Sequence, residues 1–327
     1  MGVEAQMTKT VLLTGGFGNL GGRIASSLGN NPDFRFRLGT RSSREVPDWA
    51  PNAQVAKFDV TDTTTFGTSF TDVDTVIHLV GLSDIESADN PSLADHITVS
   101  GTNNVLEASI ANGVRRFIYF STAHVYGSPL VGQLDESTLA SPKHPYATTH
   151  LAAEKLVLDA HQQRRIEGIS IRCANSFGRP MEYNMGDWKT VVGDLCRQLV
   201  FNNTLILQSN GLQERNFVTR TDVCSAVQHF LKLDSSKLDN GVFNMGSTTS
   251  SSVMKMALAV QERGKQLFGA AVDITTPPDS QADAKVPPLN FSIERLTSTG
   301  FTPEDDFATE IDGLLSMLND VHGSRHE

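Results

Sequence analysis

The chain has 327 residues, 39% of them hydrophobic and 20% charged, with 27 basic side chains against 37 acidic ones and a formal charge of −10. That length predicts about two domains or one large α/β unit with an appended part, and the acidic balance argues against a nucleic-acid binder, because neutralising phosphates needs a basic excess. Cys173, Cys196 and Cys224 are too scattered for a CxxC pair, a disulfide framework or a zinc site, which leaves no metal expected and points to a reducing, cytoplasmic setting. The longest uncharged run, 117–134, contains Ser, Thr, His, Tyr, Gly and Pro, so no membrane span is expected. The opening MGVEAQMTK lacks a basic start followed by an apolar core, so residues 1–8 read as a leader without a signal peptide.

Short apolar runs then alternate with stretches of helical period, the pattern of βαβ units and a parallel sheet. The first strand is expected at 10–14, followed at once by a glycine-rich turn and a helix over 18–29. Strands are expected at 35–39, 54–59 and 75–79, a helix at 97–112, a strand at 116–121, a helix at 146–165 and a strand at 169–173. The second half is less regular. It holds a helix-like stretch at 189–201, a returning strand at 242–245, a Pro-rich loop at 276–288 and an acidic amphipathic helix after Pro303. The fold class is therefore α/β, a Rossmann-type doubly wound parallel sheet with a smaller, interleaved C-terminal substrate domain. Residues 8–175, with 217–246 returning, are assigned to dinucleotide binding, and 176–216 with 247–327 to the substrate domain.

The turn reads Thr14-Gly15-Gly16-Phe17-Gly18-Asn19-Leu20-Gly21, between a strand and a helix. One glycine permits the tight turn, another lets backbone approach a diphosphate, and a third allows close helix packing, while the helix N-terminus supplies partial positive charge. Gly15, Gly18, Asn19, Leu20 and Gly21 are accordingly candidate cofactor residues. After the second strand, an NAD site usually places a carboxylate for the ribose 2′-hydroxyl. This chain has Arg41, Ser42, Ser43 and Arg44 instead, so Arg41 and Ser42 favour a 2′-phosphate and hence NADP over NAD. Asp59, followed by Val60, either accepts from an adenine amino group or caps the next helix.

These residues, with His78-Leu79-Val80-Gly81, Ser121-Thr122-Ala123-His124-Val125-Tyr126-Gly127, Tyr146, Arg172 to Gly178, Arg215 to Asp222 and Asn244-Met245-Gly246, resemble the extended short-chain dehydrogenase/reductase family over about residues 8–305. That group includes the nucleotide-sugar epimerases and dehydratases. The resemblance implies an NAD(P)-dependent oxidoreductase acting at a sugar hydroxyl or keto carbon, with Leu79, Val80 and Gly81 beside the cofactor. Thr122 takes the place of the hydroxyl that binds the reacting oxygen, and Tyr146 that of the general base. The family's YxxxK lysine falls at position 150, where this chain has His150, on the same helix face as Tyr146. Tyr146 and His150 thus count as both catalytic and cofactor residues.

The substitution has a physical cost. Ionising a phenol of pKa about 10 near neutrality takes roughly 4 kcal/mol, about what one cation at ~4 Å supplies at an effective dielectric near 20. An imidazole is mostly neutral at pH 7, so a weakened or alkaline-shifted base is expected. Arg215 and Asn175 match residues that grip the diphosphate of nucleotide-sugars, so Thr122, Asn175 and Arg215 form the candidate substrate set. A second phosphate-gripping arginine is missing near 283–288, where only Lys285 stands in, and the family's asparagine before the helix is Thr98 here. Ala123 and His124 replace the acidic pair of the 4,6-dehydratases, which favours epimerase-like chemistry. Alternatives are an NADPH-dependent carbonyl reductase and a non-catalytic NADP-binding sensor. The resemblance also implies a homodimer through the helices at 97–112 and 146–165.

Overall fold

A parallel sheet covered on both faces needs strands that are apolar throughout rather than alternating, and the first run of the chain meets that demand. In the computed structural model, which describes residues 8–277 and 287–323, Val11, Leu12 and Leu13 are completely buried in β1 (Lys9–Thr14). Such burial is worth about 2 kcal/mol per side chain. The expected leader, Lys285 and most of the Pro-rich loop at 276–288 lie outside the described residues.

The chain continues through α1 (Asn19–Leu28), β2 (Phe34–Thr40), β3 (Gln54–Lys57), β4 (Thr75–His78), α2 (Gly101–Ala111), β5 (Arg116–Thr122), α3 (Pro145–Gln162) and β6 (Glu167–Cys173), and returns as β7 (Val242–Met245). Together the strands form one seven-stranded sheet in the order β7-β6-β5-β4-β1-β2-β3. The order reverses between β1 and β4, and in such sheets ligands bind at the carboxyl ends of the strands flanking that reversal. Residues Gly21, Ile24, Ala25 and Leu28 bury one face of α1, the 3.6-residue spacing of an amphipathic helix.

Several element boundaries differ from expectation for local reasons. The third strand stops at Lys57 instead of reaching Asp59, because Asp59 Oδ1 accepts both the N–H and the hydroxyl of Thr61 and turns the chain. The helix expected at 97–112 enters through a π-helical turn, Asp95–Ser100, before α2 begins at Gly101. A Cβ on Gly101 would lie 2.9 Å from Val60 Cγ2, so the close approach of α2 to Val60 needs glycine. The next helix ends at Gln162, short of 165, and Arg164 follows with φ +57°. The stretch expected at 189–201 divides into an α-helix, Val191–Arg197, and a π-helical end, Gln198–Asn202.

The chain forms two compact units. The first comprises Met1–Ser128, Thr138–Cys173 and Val227–Phe243 and holds most of the sheet. Its returning piece is tied to the sheet by Arg116, fully buried, whose guanidinium donates to the carbonyls of Phe230 and Leu233 and pairs with Glu167 at 2.7 Å. The second comprises Pro129–Ser137, Ala174–Ala226 and Asn244–Glu327, so 129–137, 174–175, 217–226 and 244–246 fall on its side of the division. Its core includes Phe177, Leu195, Phe217, Val260 and Leu314. Short strand pairs stitch it, among them Asn175–Phe177 with Phe217–Thr219 in parallel. Among the described residues no helix is long and apolar enough to cross a membrane.

Candidate active site

At the carboxyl end of β1 the chain turns on Gly15, whose φ of +72° is strained for any residue with a side chain. The N–H of Gly18 donates to Gly15 O at 2.9 Å, and a Cβ on Gly21 would lie 2.2 Å from that same oxygen. Glycine at 21 is therefore what lets α1 start against the turn. Gly18 caps α1 without a side-chain hydrogen bond, and the first turn of the helix carries no acidic residue. The leading N–H groups are thus left to an incoming anion, with the helix dipole in support. Asn19 Oδ1 is buried there with no hydrogen-bond partner among the described residues. Leu79 closes the other wall: its N–H donates to Thr14 O at 3.3 Å, and its Cβ lies 3.3 Å from the position a Cβ on Gly15 would take. This places Leu79, directly after β4, beside the turn, with Val80 and Gly81 following it in sequence and Leu20 half-buried in the first turn of α1. A diphosphate-bridged dinucleotide fits this cradle.

Beyond β2, Arg41 and Ser42 are exposed. The loop that follows folds back on the cradle, with Arg44 5.0 Å over the ring of Phe17 and Trp49 edge-on to Phe17 at 6.0 Å. Lys57 reaches Ser43 Oγ at 3.2 Å. Burial pulls the Asp59 carboxyl upward, but the two Thr61 bonds and the nearby Arg41 hold it below the usual range. Asp59 shapes the turn at Thr61, whereas the cap of the following 3-10 helix falls to Asp62, which accepts from Thr64 N.

The other end of the site is made of side chains. Thr122 closes β5, 5% exposed, and its hydroxyl oxygen accepts the N–H of His124 at 3.2 Å, which leaves its proton to donate. Tyr146 stands in the first turn of α3, its N–H capped by His144 Nδ1 at 3.3 Å. His150, one turn on, packs its ring 4.5 Å from that of Tyr146. Its Nδ1 lies 2.8 Å from Tyr119 Oη, and a Cβ on Gly81 would stand 3.4 Å from its Nε2. The structure thereby brings Tyr146, His150 and Gly81 together and adds Tyr119.

Burial pushes the His150 pKa down to about 4, opposed only in part by a backbone hydrogen bond at Phe120. The imidazole is uncharged at neutral pH. Burial, and then the charges of Tyr146 and Glu154, raise the Tyr119 phenol well above its ordinary value, so it keeps its proton. His78, at the end of β4, is clamped between Thr14 Oγ1 at 2.7 Å and Thr102 Oγ1 at 3.1 Å, and burial drives its pKa to about 3. Behind α3, Glu154 accepts from Arg172 at 2.6 Å and from Ser170 at 2.8 Å in a nearly fully buried ion pair.

Tyr119 and Glu154 escaped the sequence reading, and His78 and Arg172 entered it only as parts of the motifs that carry the resemblance, with no role of their own. Tyr119 reads as one more core aromatic in a strand. The available signal was charge in an apolar setting: Arg172 inside a predicted strand, and Glu154 two turns from Tyr146 on one helix face.

Asn175 and Arg215 belong to the second unit. Asn175 donates through both its backbone N and its Nδ2 to Asn216 O. Arg215 sits half-buried, with burial lowering its pKa, and makes no ion pair among the described residues. Its two candidate partners are engaged elsewhere: Glu214 accepts from Leu289 N, and Asp222 from Thr219 and the backbone at 304 and 305.

A glycine cradle at the reversal of a parallel sheet, with Tyr146 and His150 on one helix and Thr122 at the end of a neighbouring strand, is the arrangement of an oxidoreductase of the extended short-chain dehydrogenase/reductase type that uses a nicotinamide dinucleotide. A model of the NAD dependent epimerase/dehydratase family matches residues 11–246, and the chain belongs to that family. Mouse (Mus musculus) dTDP-D-glucose 4,6-dehydratase is 28% identical over 267 residues, covering 78% of this chain and 73% of the relative. Rice (Oryza sativa) UDP-glucose 4-epimerase 4 is 26% identical over 313 residues, covering 86% and 83%. Among solved structures, UDP-glucose 4-epimerase from Thermotoga maritima with UDP-glucose superposes with a TM-score of 0.77 at 20% identity, over 97% of this chain and 100% of that one. A Pseudomonas aeruginosa protein solved with NADPH gives 0.76 at 22%, over 96% and 100%. The structural likenesses show the shared fold.

Proposed function

We propose that the protein interconverts a nucleotide-sugar at a hydroxyl or keto carbon in the manner of a 4-epimerase, with NADP preferred to NAD. The observation that carries this reading is the glycine cradle standing in the same unit as Tyr146, His150 and Thr122. Gly15 to Gly21 would hold the diphosphate bridge, Arg41 and Ser42 the 2′-phosphate, and Asp59 the adenine, with Leu79 to Gly81 and His150 on the riboside side. A bound nicotinamide supplies a site for hydride exchange. Thr122 would donate to the reacting oxygen, and Tyr146 would move its proton. In the second unit, proposed as the substrate domain, Arg215, which among the described residues makes no ion pair and only a 3.5 Å hydrogen bond to Gln213 Oε1, favours an anionic group such as a sugar-nucleotide diphosphate, with Asn175 in register with Phe217 two positions on. The mouse and rice relatives carry names of nucleotide-sugar enzymes, which supports that substrate class. A cytoplasmic homodimer belongs to the same reading.

The uncharged His150 favours a second reading, one-way reduction by NADPH. Without a cation at that position, a phenol of pKa about 10 is only about one part in a thousand ionised at pH 7, and so serves as a proton donor rather than a base. Mass spectrometry of small molecules that co-purify with the chain, followed by assay on UDP- and dTDP-sugars, separates these readings. An epimerase retains its cofactor and shows no net change in nicotinamide absorbance, whereas a reductase consumes NADPH stoichiometrically. Tight cofactor binding with no turnover on any sugar nucleotide would leave a sensor.

A further inference from the structure

We infer that Tyr119 is the positioning residue of His150: its hydroxyl donates to Nδ1, fixes the tautomer with the proton on Nε2, and makes His150 a neutral N–H donor on the side bordered by Gly81. Only what Nε2 meets rests on the functional reading above. The pair itself rests on its geometry.

Tyr119 is 1% exposed, and its Oη lies 2.8 Å from His150 Nδ1. A neutral imidazole has one N–H and one acceptor nitrogen. If Nδ1 were the donor, the phenolic proton would be buried without an acceptor among the described residues, whereas donation from Tyr119 satisfies Tyr119 and Nδ1 together and leaves the ring's one N–H for the backbone at Phe120 and the Gly81 side. The hydrogen of His150 then sits on Nε2, beside Gly81, and Thr98 Oγ1 borders that same glycine.

No charged group on the packed elements competes for the ring. On α3 the neighbours are Tyr146 and Glu154, the latter held by Arg172 and Ser170. On β4 the neighbour is His78, whose own tautomer is set in the same way. Thr102 gives its proton to Thr98 O, so His78 Nε2 donates to Thr102 and Nδ1 accepts from Thr14. The pairing also suits histidine rather than lysine. An ammonium offers no acceptor to the Tyr119 hydroxyl, so a lysine at 150 would leave that buried proton stranded.

The test uses the full-length chain labelled with 15N. Ring nitrogen spectra, with His150 assigned through its loss in His150→Gln, should show protonation at Nε2 in the wild type. Tyr119→Phe keeps the ring and removes the hydroxyl, and should shift the tautomer ratio toward Nδ1–H by on the order of fivefold, the worth of one hydrogen bond. Nδ1–H in the wild type, or an unchanged ratio in Tyr119→Phe, overturns the proposal, and the wild-type spectrum decides even if the variant does not fold. A second arm titrates NADPH. Tyr119→Phe should weaken binding about fivefold in the wild type and not at all in a His150→Gln background, and equal losses in both backgrounds would reduce Tyr119 to a packing residue. If the wild type binds neither NADPH nor NADH, it is the functional reading that fails, while the ring spectra still decide the pair.

Discussion

At the glycine-rich turn the protein presents backbone, and at the far end of β5 it presents side chains. The cradle consists of N–H groups fixed by four glycines and one helix start, so its geometry hardly depends on which residues pack around it. The Tyr146–His150 end depends on a strand, a helix and a loop each delivering one group: Tyr119 from β5, His150 from α3 and Gly81 from the segment after β4. Recognition built on backbone tolerates little change but performs one task. Chemistry built on side chains can be retuned by a single substitution, and in the reading proposed above the uncharged His150 is such a retuning.

Four experiments press on that contrast, beginning with the largest expected effect. Gly21→Ala drives a Cβ to 2.2 Å from Gly15 O, so the cradle must open. NADPH binding, followed by titration calorimetry, should fall at least ~100-fold, with a loss of about 2 kcal/mol or more in stability. Retained affinity would mean that the turn is not the diphosphate site.

The second probe is acid. His150 and His78 have folded pKa values near 4 and 3 against about 6.5 unfolded. Below pH 6.5 the unfolded chain binds protons that the folded chain refuses, so stability rises with pH across that window. It is fully present above about 6.5 and is lost as pH falls toward 4 and then 3, by a few kcal/mol in total. Urea unfolding at stepped pH reads this loss, and His150→Gln should about halve the slope between pH 4 and 6.5, where both rings contribute. A flat wild-type profile would mean that the two rings are not held neutral by burial.

Third, His150→Lys should raise turnover in the oxidising direction at pH 7 by about tenfold and move the basic limb of the pH–rate profile toward neutrality, since a permanent cation favours the phenolate. Adding Tyr119→Phe should enlarge that gain. No gain and no shift would remove the electrostatic account of position 150. The smallest effect is expected at the exposed Arg41, where Arg41→Ala should lower the preference for NADPH over NADH by about fivefold in paired titrations. An unchanged ratio would assign Arg41 to the solvated loop.

Much of this was legible before any coordinates. The sheet strands and the turn at 14–21 follow from short-range patterns, apolar runs and glycine spacing, whereas Thr122, Tyr146 and His150 were singled out by the family resemblance, with the i,i+4 relation placing the last two on one helix face. The neutrality of His150 at pH 7 was legible too, but only as an average property of imidazole. Its degree was not, because burial depends on what β5 and β4 place against the ring. The cap role expected of Asp59 went to Asp62 for a similar reason, since which of two nearby carboxylates meets a given N–H depends on how the chain turns at Thr61.

From its order of residues alone the chain determined an α/β sheet, a glycine-rich turn between a strand and a helix, and a tyrosine with a histidine four positions on along one helix face. Those features arise from contacts between residues close in sequence, whose geometry is set by helix and strand periods. Only the tertiary structure decided that Tyr119, 31 positions before His150, sits within hydrogen-bond distance of its Nδ1, and that Arg116, Glu154 and Arg172 are buried charges with partners. Burial and hydrogen bonding between distant residues are properties of the packed whole, and no local period encodes them.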